Sequence, residues 1–127
     1  MLYIKTYIDK SPIHGIGLFA AEDIPKGTLV WQMHYLDMVL EKEDFEKLPK
    51  TAQDFIRNHG DWDIRRQQIT MSFDNDKFIN HSFTPNLDDV YYEKTEKTYA
   101  NRNILKGEEI TINYYEFDEH ADLKLNK

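Results

Sequence analysis

Apolar residues alternate from Leu2 to Ile8 with Tyr and Thr among them, a period of two that predicts a half-buried or edge strand ending at the Ser11-Pro12 turn. Gly15 and Gly17 flank Ile16 and lead into a second strand at Leu18-Phe19-Ala20-Ala21. Ile24-Pro25-Lys26-Gly27 then turns the chain into a third, Thr28 to Met33. Between Glu41 and His59 the period changes. Phe45, Leu48, Ala52, Phe55 and Ile56 recur at three- and four-residue intervals, which predicts a helical insert over about 41–60, stopped by Gly60 and split in two by Pro49. Strand-like text returns from Ile64 to Phe73 and ends in an Asp74-Asn75-Asp76 turn. Tyr91-Tyr92 and Thr98 to Ile104 read as a further strand pair. After Lys106-Gly107, the segment Glu109 to Tyr115 puts Ile110, Ile112 and Tyr114 on one strand face and Thr111, Asn113 and Tyr115 on the other. The tail, about 116–127, is polar with some helical character.

The pattern is mainly β with one helical insert, and 127 residues suit a single domain spanning 1–127. With 40% hydrophobic and 31% charged residues the chain has ordinary globular balance. It has neither an apolar run of roughly 20 residues nor a signal-peptide core, so a soluble, intracellular protein without membrane contact is expected. The absence of cysteine removes disulfides, thiolate nucleophiles and Cys-based zinc sites. No pair of the five histidines has metal-ligand spacing, so no metal is expected. Sixteen basic against 23 acidic residues, a net charge of −7, argues against direct nucleic-acid binding and suits a cationic partner.

Three segments carry more specific information. They are Ser11-Pro12-Ile13-His14-Gly15-Ile16-Gly17-Leu18-Phe19-Ala20, Phe78-Ile79-Asn80-His81-Ser82-Phe83-Thr84-Pro85-Asn86, and Ile104-Leu105-Lys106-Gly107-Glu108-Glu109-Ile110-Thr111-Ile112-Asn113-Tyr114. In order and approximate spacing they resemble the signature stretches of the SET-domain protein-lysine methyltransferases. A lone Gly-x-Gly or Gly-Glu-Glu says little, whereas the Asn-His-Ser-x-x-Pro-Asn run is fairly specific. The resemblance implies a SET fold, a β-clip-like assembly of small twisted sheets whose C-terminal strand threads past the Asn-His segment in a knot-like core. It also implies S-adenosylmethionine as cofactor and the lysine side chain of a protein or peptide as substrate, the two entering from opposite faces.

The family pattern assigns His14, Gly15, Ile16 and Gly17 to the methionine part of the cofactor, through backbone groups that glycine leaves accessible. It assigns Asn80 to the same moiety through its amide, and His81 to adenine through backbone groups. Tyr114 matches the family's catalytic tyrosine, with its hydroxyl beside the reacting methyl and the lysine nitrogen. Asn113 and Tyr115 depart from the Asp and Gly common on either side of it. The Cys-rich segment that closes the cofactor site in many members is missing, which leaves Phe117 to stack on adenine. The tail can complete that wall, pair with another subunit or fray. Pro85-Asn86 is read as turn chemistry. Trp31, Tyr35, Tyr92 and Tyr115 are unranked candidates for an aromatic lysine channel.

Methyl transfer needs a neutral amine, and deprotonating a lysine of pKa ~10.4 at pH 7 costs roughly 4 to 5 kcal/mol. A neighbouring sulfonium and a desolvated channel reduce that cost, so the expected mechanism is in-line displacement without a dedicated base. The expected partner is a basic protein or peptide, a histone being one candidate, with Asp88, Asp89 and Glu93 placed to attract its flanking charges. The chain is expected to act as a monomer or homodimer. The alternative class is a non-catalytic SET-like module that binds a peptide or partner.

Overall fold

The structure is a computed structural model of the chain and describes residues 1–125. In chain order the described elements are strands β1 (Thr6–Lys10), β2 (Ile16–Ala20), β3 (Leu29–Gln32) and β4 (Met38–Leu40), helices α1 (Lys42–Phe45) and α2 (Lys50–His59), strands β5 (Asp61–Asp63), β6 (Gln68–Met71), β7 (Asn80–His81), β8 (Leu87–Tyr92), β9 (Thr95–Ala100) and β10 (Glu109–Ile112), and helix α3 (Ala121–Leu125). Single 3₁₀ turns cover Asn75–Phe78 and Tyr114–Glu116. The strands form three small sheets, ordered β1-β2-β10-β7, β3-β9-β8 and β4-β6-β5. No described helix is long and apolar enough to cross a membrane.

β10 enters its sheet between strands from opposite ends of the sequence. It pairs antiparallel with β2 (Ile110 opposite Leu18) and parallel with β7 (Thr111 opposite Asn80, Ile112 opposite His81). Its Ile110 and Ile112 are buried in the main core with Leu18, Ile24, Val30, Ile79, Leu87 and Ile104. Asn86 locks this arrangement from the side. Its amide donates to Glu109 O at 2.8 Å and its carbonyl accepts from Thr111 N at 2.9 Å, with the residue 1% exposed. The expectation of simple turn chemistry for Asn86 is therefore corrected: the amide satisfies two groups of β10 that its sheet leaves over.

The insert forms as its periodicity predicts, with Pro49 at the boundary of α1 and α2. Phe45 and Ile56 pack on Trp62 and Ile69 of the third sheet in a smaller apolar cluster. α2 ends at Gly60, where the backbone turns extended and any Cβ would sit 2.8 Å from Ile56 O.

Several strand boundaries differ from the sequence expectation, each for a local reason. The first strand starts at Thr6 because Leu2 N donates to Asp74 and Tyr3 N to Val30 O. The stretch Ile64 to Phe73 is half turn: Asp63 Oδ1 accepts from Arg65 N and Arg66 N and folds β5 back onto β6. β8 and β9 form a hairpin whose two turn residues, Glu93 and Lys94, have φ of 48° and 64°, a conformation usually marked by Asn or Gly. The last strand ends at Ile112, not Tyr115, because the Asn113 side chain accepts from Tyr115 N and starts a 3₁₀ turn.

The tail is ordered through Leu125: Asp118 and Ala121 are buried, and α3 carries Lys124 inward. Asn126 and Lys127, the end of the expected 116–127 tail, lie outside the described residues. Replacing Asn86 by Ala orphans two buried backbone groups of β10, and urea unfolding is expected to show a loss of about 2–4 kcal/mol.

Candidate functional site

Two cavities meet inside the molecule. The larger, about 540 Å³, is lined by Ile13, His14, Gly15, Ile16, Asn80 and His81 among others, and the smaller, about 60 Å³, by Trp31, Met33, Asp37, Asp76, Glu96 and Phe117 among others. Asn58, His59, Lys77, Ile79, Tyr114 and Lys124 line both, so these side chains form the partition.

The rim of the larger cavity is tied to the sheet through Asn80. Its Nδ2 donates to His14 O at 3.0 Å, Ile16 O at 3.3 Å and Glu109 Oε2 at 3.0 Å, holding the glycine loop against β10. The Glu109 carboxylate also accepts from Ser11 Oγ at 2.7 Å. A Cβ on Gly17 would sit 2.6 Å from Glu109 Oε2, so Gly17 is the close-approach glycine. Gly15, at φ +46°, has open space where its Cβ would be and lines the cavity.

His81 accepts a hydrogen bond from Tyr114 N at 3.1 Å through Nδ1, which leaves Nε2 as the protonated nitrogen. That Nε2 is buried without a hydrogen-bond partner among the described residues, and burial pushes the imidazole pKa down. Tyr114 donates its hydroxyl to Ile79 O at 2.5 Å. Burial is the main force that raises the phenol pKa, and Asp61, Asp118 and Asp76 add to it, so the hydroxyl stays protonated and acts as a donor.

Charge is concentrated behind this partition. Lys124 Nζ lies 2.5 Å from Asp118 Oδ2, 2.7 Å from Asp61 Oδ1 and 5.2 Å from the Tyr114 ring centroid. Burial opposes its charge, and the two carboxylates more than offset that, so its pKa is raised. Arg65 is shared among Asp63 (3.1 Å), Asp89 (2.7 Å) and Glu96 (3.0 Å), and Arg66 reaches Glu96 at 3.6 Å. Here three carboxylates face two guanidinium groups. Burial, reinforced by Asp89, pushes Glu96 up to about 8 despite Arg65.

The structure brings His14, Gly15, Ile16, Asn80, His81 and Tyr114 to one cavity. Other expected site residues lie elsewhere. Gly17 packs against Glu109, and Phe117 lines the smaller cavity but not the larger one. Of the four channel aromatics only Trp31 reaches a cavity lining. Tyr35, between β3 and β4, is 88% exposed, and Tyr92 is 70% exposed because the β8 alternation turns Tyr91 inward instead. Tyr115 stacks on Phe83 at the surface, with their ring centroids 5.6 Å apart. Asp89 is not a surface attractant, because its side chain is 1% exposed and held by Arg65. Asp88 accepts from Asn101 Nδ2 on the exposed side. Sequence reasoning missed Glu109, Asp76, Lys124 and the Arg65 cluster. Of these only Glu109 carried a signal, since it lies inside a recognised motif.

The family model described as the SET domain matches residues 15–115, and the chain belongs to the SET-domain family. Its fold is the SET fold. Human "Histone-lysine N-methyltransferase 2D" is 31% identical over 126 residues, covering 91% of this chain and 2% of that protein. The Schizosaccharomyces pombe "Histone-lysine N-methyltransferase, H3 lysine-4 specific" is 32% identical over 129 residues, covering 93% of this chain and 13% of that protein. The chain thus spans only a small part of the length of these relatives. Among solved structures, the polycomb repressive complex 2 of Chaetomium thermophilum, autoinhibited and bound to S-adenosylmethionine, shares the fold. Its TM-score is 0.68 at 22% identity, over 97% of this chain and 16% of that one.

Glu96 makes the stability of this region pH-dependent. A carboxyl whose folded pKa is about 8 contributes stability fully present below its unfolded value near 4.5 and lost as pH rises through 8. Glu96→Gln is expected to flatten the fall in unfolding free energy between about pH 5 and 8, measured by denaturant titration at several pH values.

Proposed function

We propose that this chain is a protein-lysine methyltransferase that uses S-adenosylmethionine. The observation that carries the reading is the meeting of two cavities at Tyr114, with a glycine loop and an Asn-His pair on one side and a polar chamber lined by Asp61, Asp76 and Glu96 on the other. The larger cavity falls within the roughly 300–1,000 Å³ range of small-molecule sites. The residues there fit the cofactor: Gly15 leaves the rim open, the His14 and Ile16 carbonyls border it, and the buried Nε2 donor of His81 lacks a partner.

The cofactor, when bound, supplies an electrophilic methyl on a sulfonium. Asn80 holds the His14 and Ile16 carbonyls in place at the rim where the cofactor's amino-acid end would lie. The Ile79 carbonyl fixes the Tyr114 hydroxyl at the partition, where it orients the incoming amine and excludes water. The Tyr114 ring suits an ammonium head group, since Lys124 Nζ already rests 5.2 Å from its centroid. With the cofactor bound, an amine held in its neutral form at Tyr114 would receive the methyl by in-line displacement.

The substrate is proposed to be a basic segment of a protein, in keeping with the net charge of −7 and the naming of the relatives as histone-lysine methyltransferases. Exposed Asp88 remains available to flanking positive charge. Incubation with methyl-labelled cofactor and core histones, followed by mass spectrometry, tests the reading. Tyr114→Phe is expected to lower transfer about 10²-fold or more while changing the cofactor Kd only a few-fold by calorimetry. Transfer by Tyr114→Phe at the parent rate would remove Tyr114 from the chemistry. No heat on titrating cofactor into the parent protein would refute the enzymatic reading.

A further inference from the structure

The proposed reaction needs a proton acceptor, and Tyr114 is unsuited to the task. Its hydroxyl is protonated, and its hydrogen is committed to Ile79 O. On the other side of the partition lies the 60 Å³ cavity, well above the ~10–15 Å³ needed to hold a water molecule. Two residues of its lining carry buried polar atoms with no hydrogen-bond partner among the described residues: Nε1 of Trp31, a residue 6% exposed, and Oγ1 of Thr98, a residue 5% exposed. Buried donors of this kind are ordinarily satisfied, and water within the cavity would satisfy them.

We infer that Asp76, which lines this cavity together with Tyr114, accepts through cavity water the proton that the target ammonium sheds before methyl transfer. The inference rests on the methyltransferase reading above and adds a catalytic base to it. Asp76 is the suitable acceptor among the carboxylates of the lining. Asp61 is engaged by Lys124, Glu96 by Arg65 and Arg66, and Asp37 by His34 N and Phe73 N. Asp76 accepts from the neutral Ser72 hydroxyl at 2.7 Å and has no cation within ion-pair distance among the described residues. Burial is the main force that pushes its carboxyl up to about 7, and the Ser72 hydrogen bond works against it. Asp74 and Asp61 raise it further, and the N-terminal ammonium lowers it. Lys77, Lys124 and His59 are the other charged or titratable groups of the lining. An acceptor poised near neutrality is matched to this proton transfer.

The step balances. An N–H bond of the target ammonium breaks, and the proton passes over water to an Asp76 oxygen. The freed lone pair forms the N–C bond as the C–S bond of the donor breaks with its electrons going to sulfur. Asp76 then passes the proton back through the same cavity water to solvent.

The test compares kcat against pH for parent, Asp76→Asn and Ser72→Ala proteins on core histones, with cofactor Kd measured by calorimetry. It also follows the Asp76 carboxyl carbon by ¹³C NMR, which separates it from His59. The parent profile is expected to rise through a midpoint near 7. Asp76→Asn should bind cofactor with unchanged Kd, lose that midpoint and fall at least about tenfold at pH 8. Ser72→Ala, which removes a hydrogen bond favouring the ionised form, should move the midpoint upward. An active parent whose profile Asp76→Asn leaves unchanged overturns the base assignment alone, as does an Asp76 carbon titrating at the ordinary value near 4. A parent that binds no cofactor overturns the underlying reading, and the base assignment with it.

Discussion

The pairing of β10 between β2 and β7 is the constraint on which the rest of the site depends. A strand near the C-terminus is held antiparallel to one from the N-terminal hairpin and parallel to the two residues Asn80 and His81. Because Tyr114 follows β10 by two residues and its amide bonds the His81 ring, fixing the strand fixes the phenol. Asn80 works in the opposite direction along the same sheet, reaching back to the glycine loop and to Glu109. Loop, imidazole and phenol are thus positioned by one three-strand contact. Asn86 secures its flank, donating to Glu109 O and accepting from Thr111 N.

A second principle is the placement of buried charge. Lys124 between Asp61 and Asp118 draws α3 onto the body of the protein, and Arg65 among Asp63, Asp89 and Glu96 joins the third sheet to the β8–β9 hairpin. Each of these ions is costly to desolvate alone, and the geometry compensates by surrounding it with several oppositely charged partners. Asp61, Glu96 and Lys124 of these clusters also line the smaller cavity, so the ties that hold the outlying elements in place bring charge to the partition.

The sequence reading and the structure part company where side-chain direction and long-range pairing decide. The helical insert was legible because Phe45, Leu48, Ala52 and Ile56 recur at the helical period, and Pro49 and Gly60 act locally as breakers. The β8–β9 hairpin carried no Asn-Gly signal, since Glu93 and Lys94 adopt positive φ under the demand of the strand pairing on either side. Tyr35, Tyr92 and Tyr115 are aromatic but face outward, whereas Tyr91, one position from Tyr92, faces in beneath Arg65. Composition cannot distinguish such neighbours, because the pleat inverts direction at every residue.

The amino-acid sequence by itself determined the mainly-β class, the helical insert and three motifs that identify the family, because turn residues, periodicity and short functional runs act over a few positions. Only the tertiary structure decided which polar groups share a chamber. Asp76 and Trp31 are 45 positions apart, and Lys124 lies 63 from Asp61. Their proximity is a product of sheet pairing and burial, and a carboxylate acquires an altered proton affinity only from what surrounds it once the chain has closed.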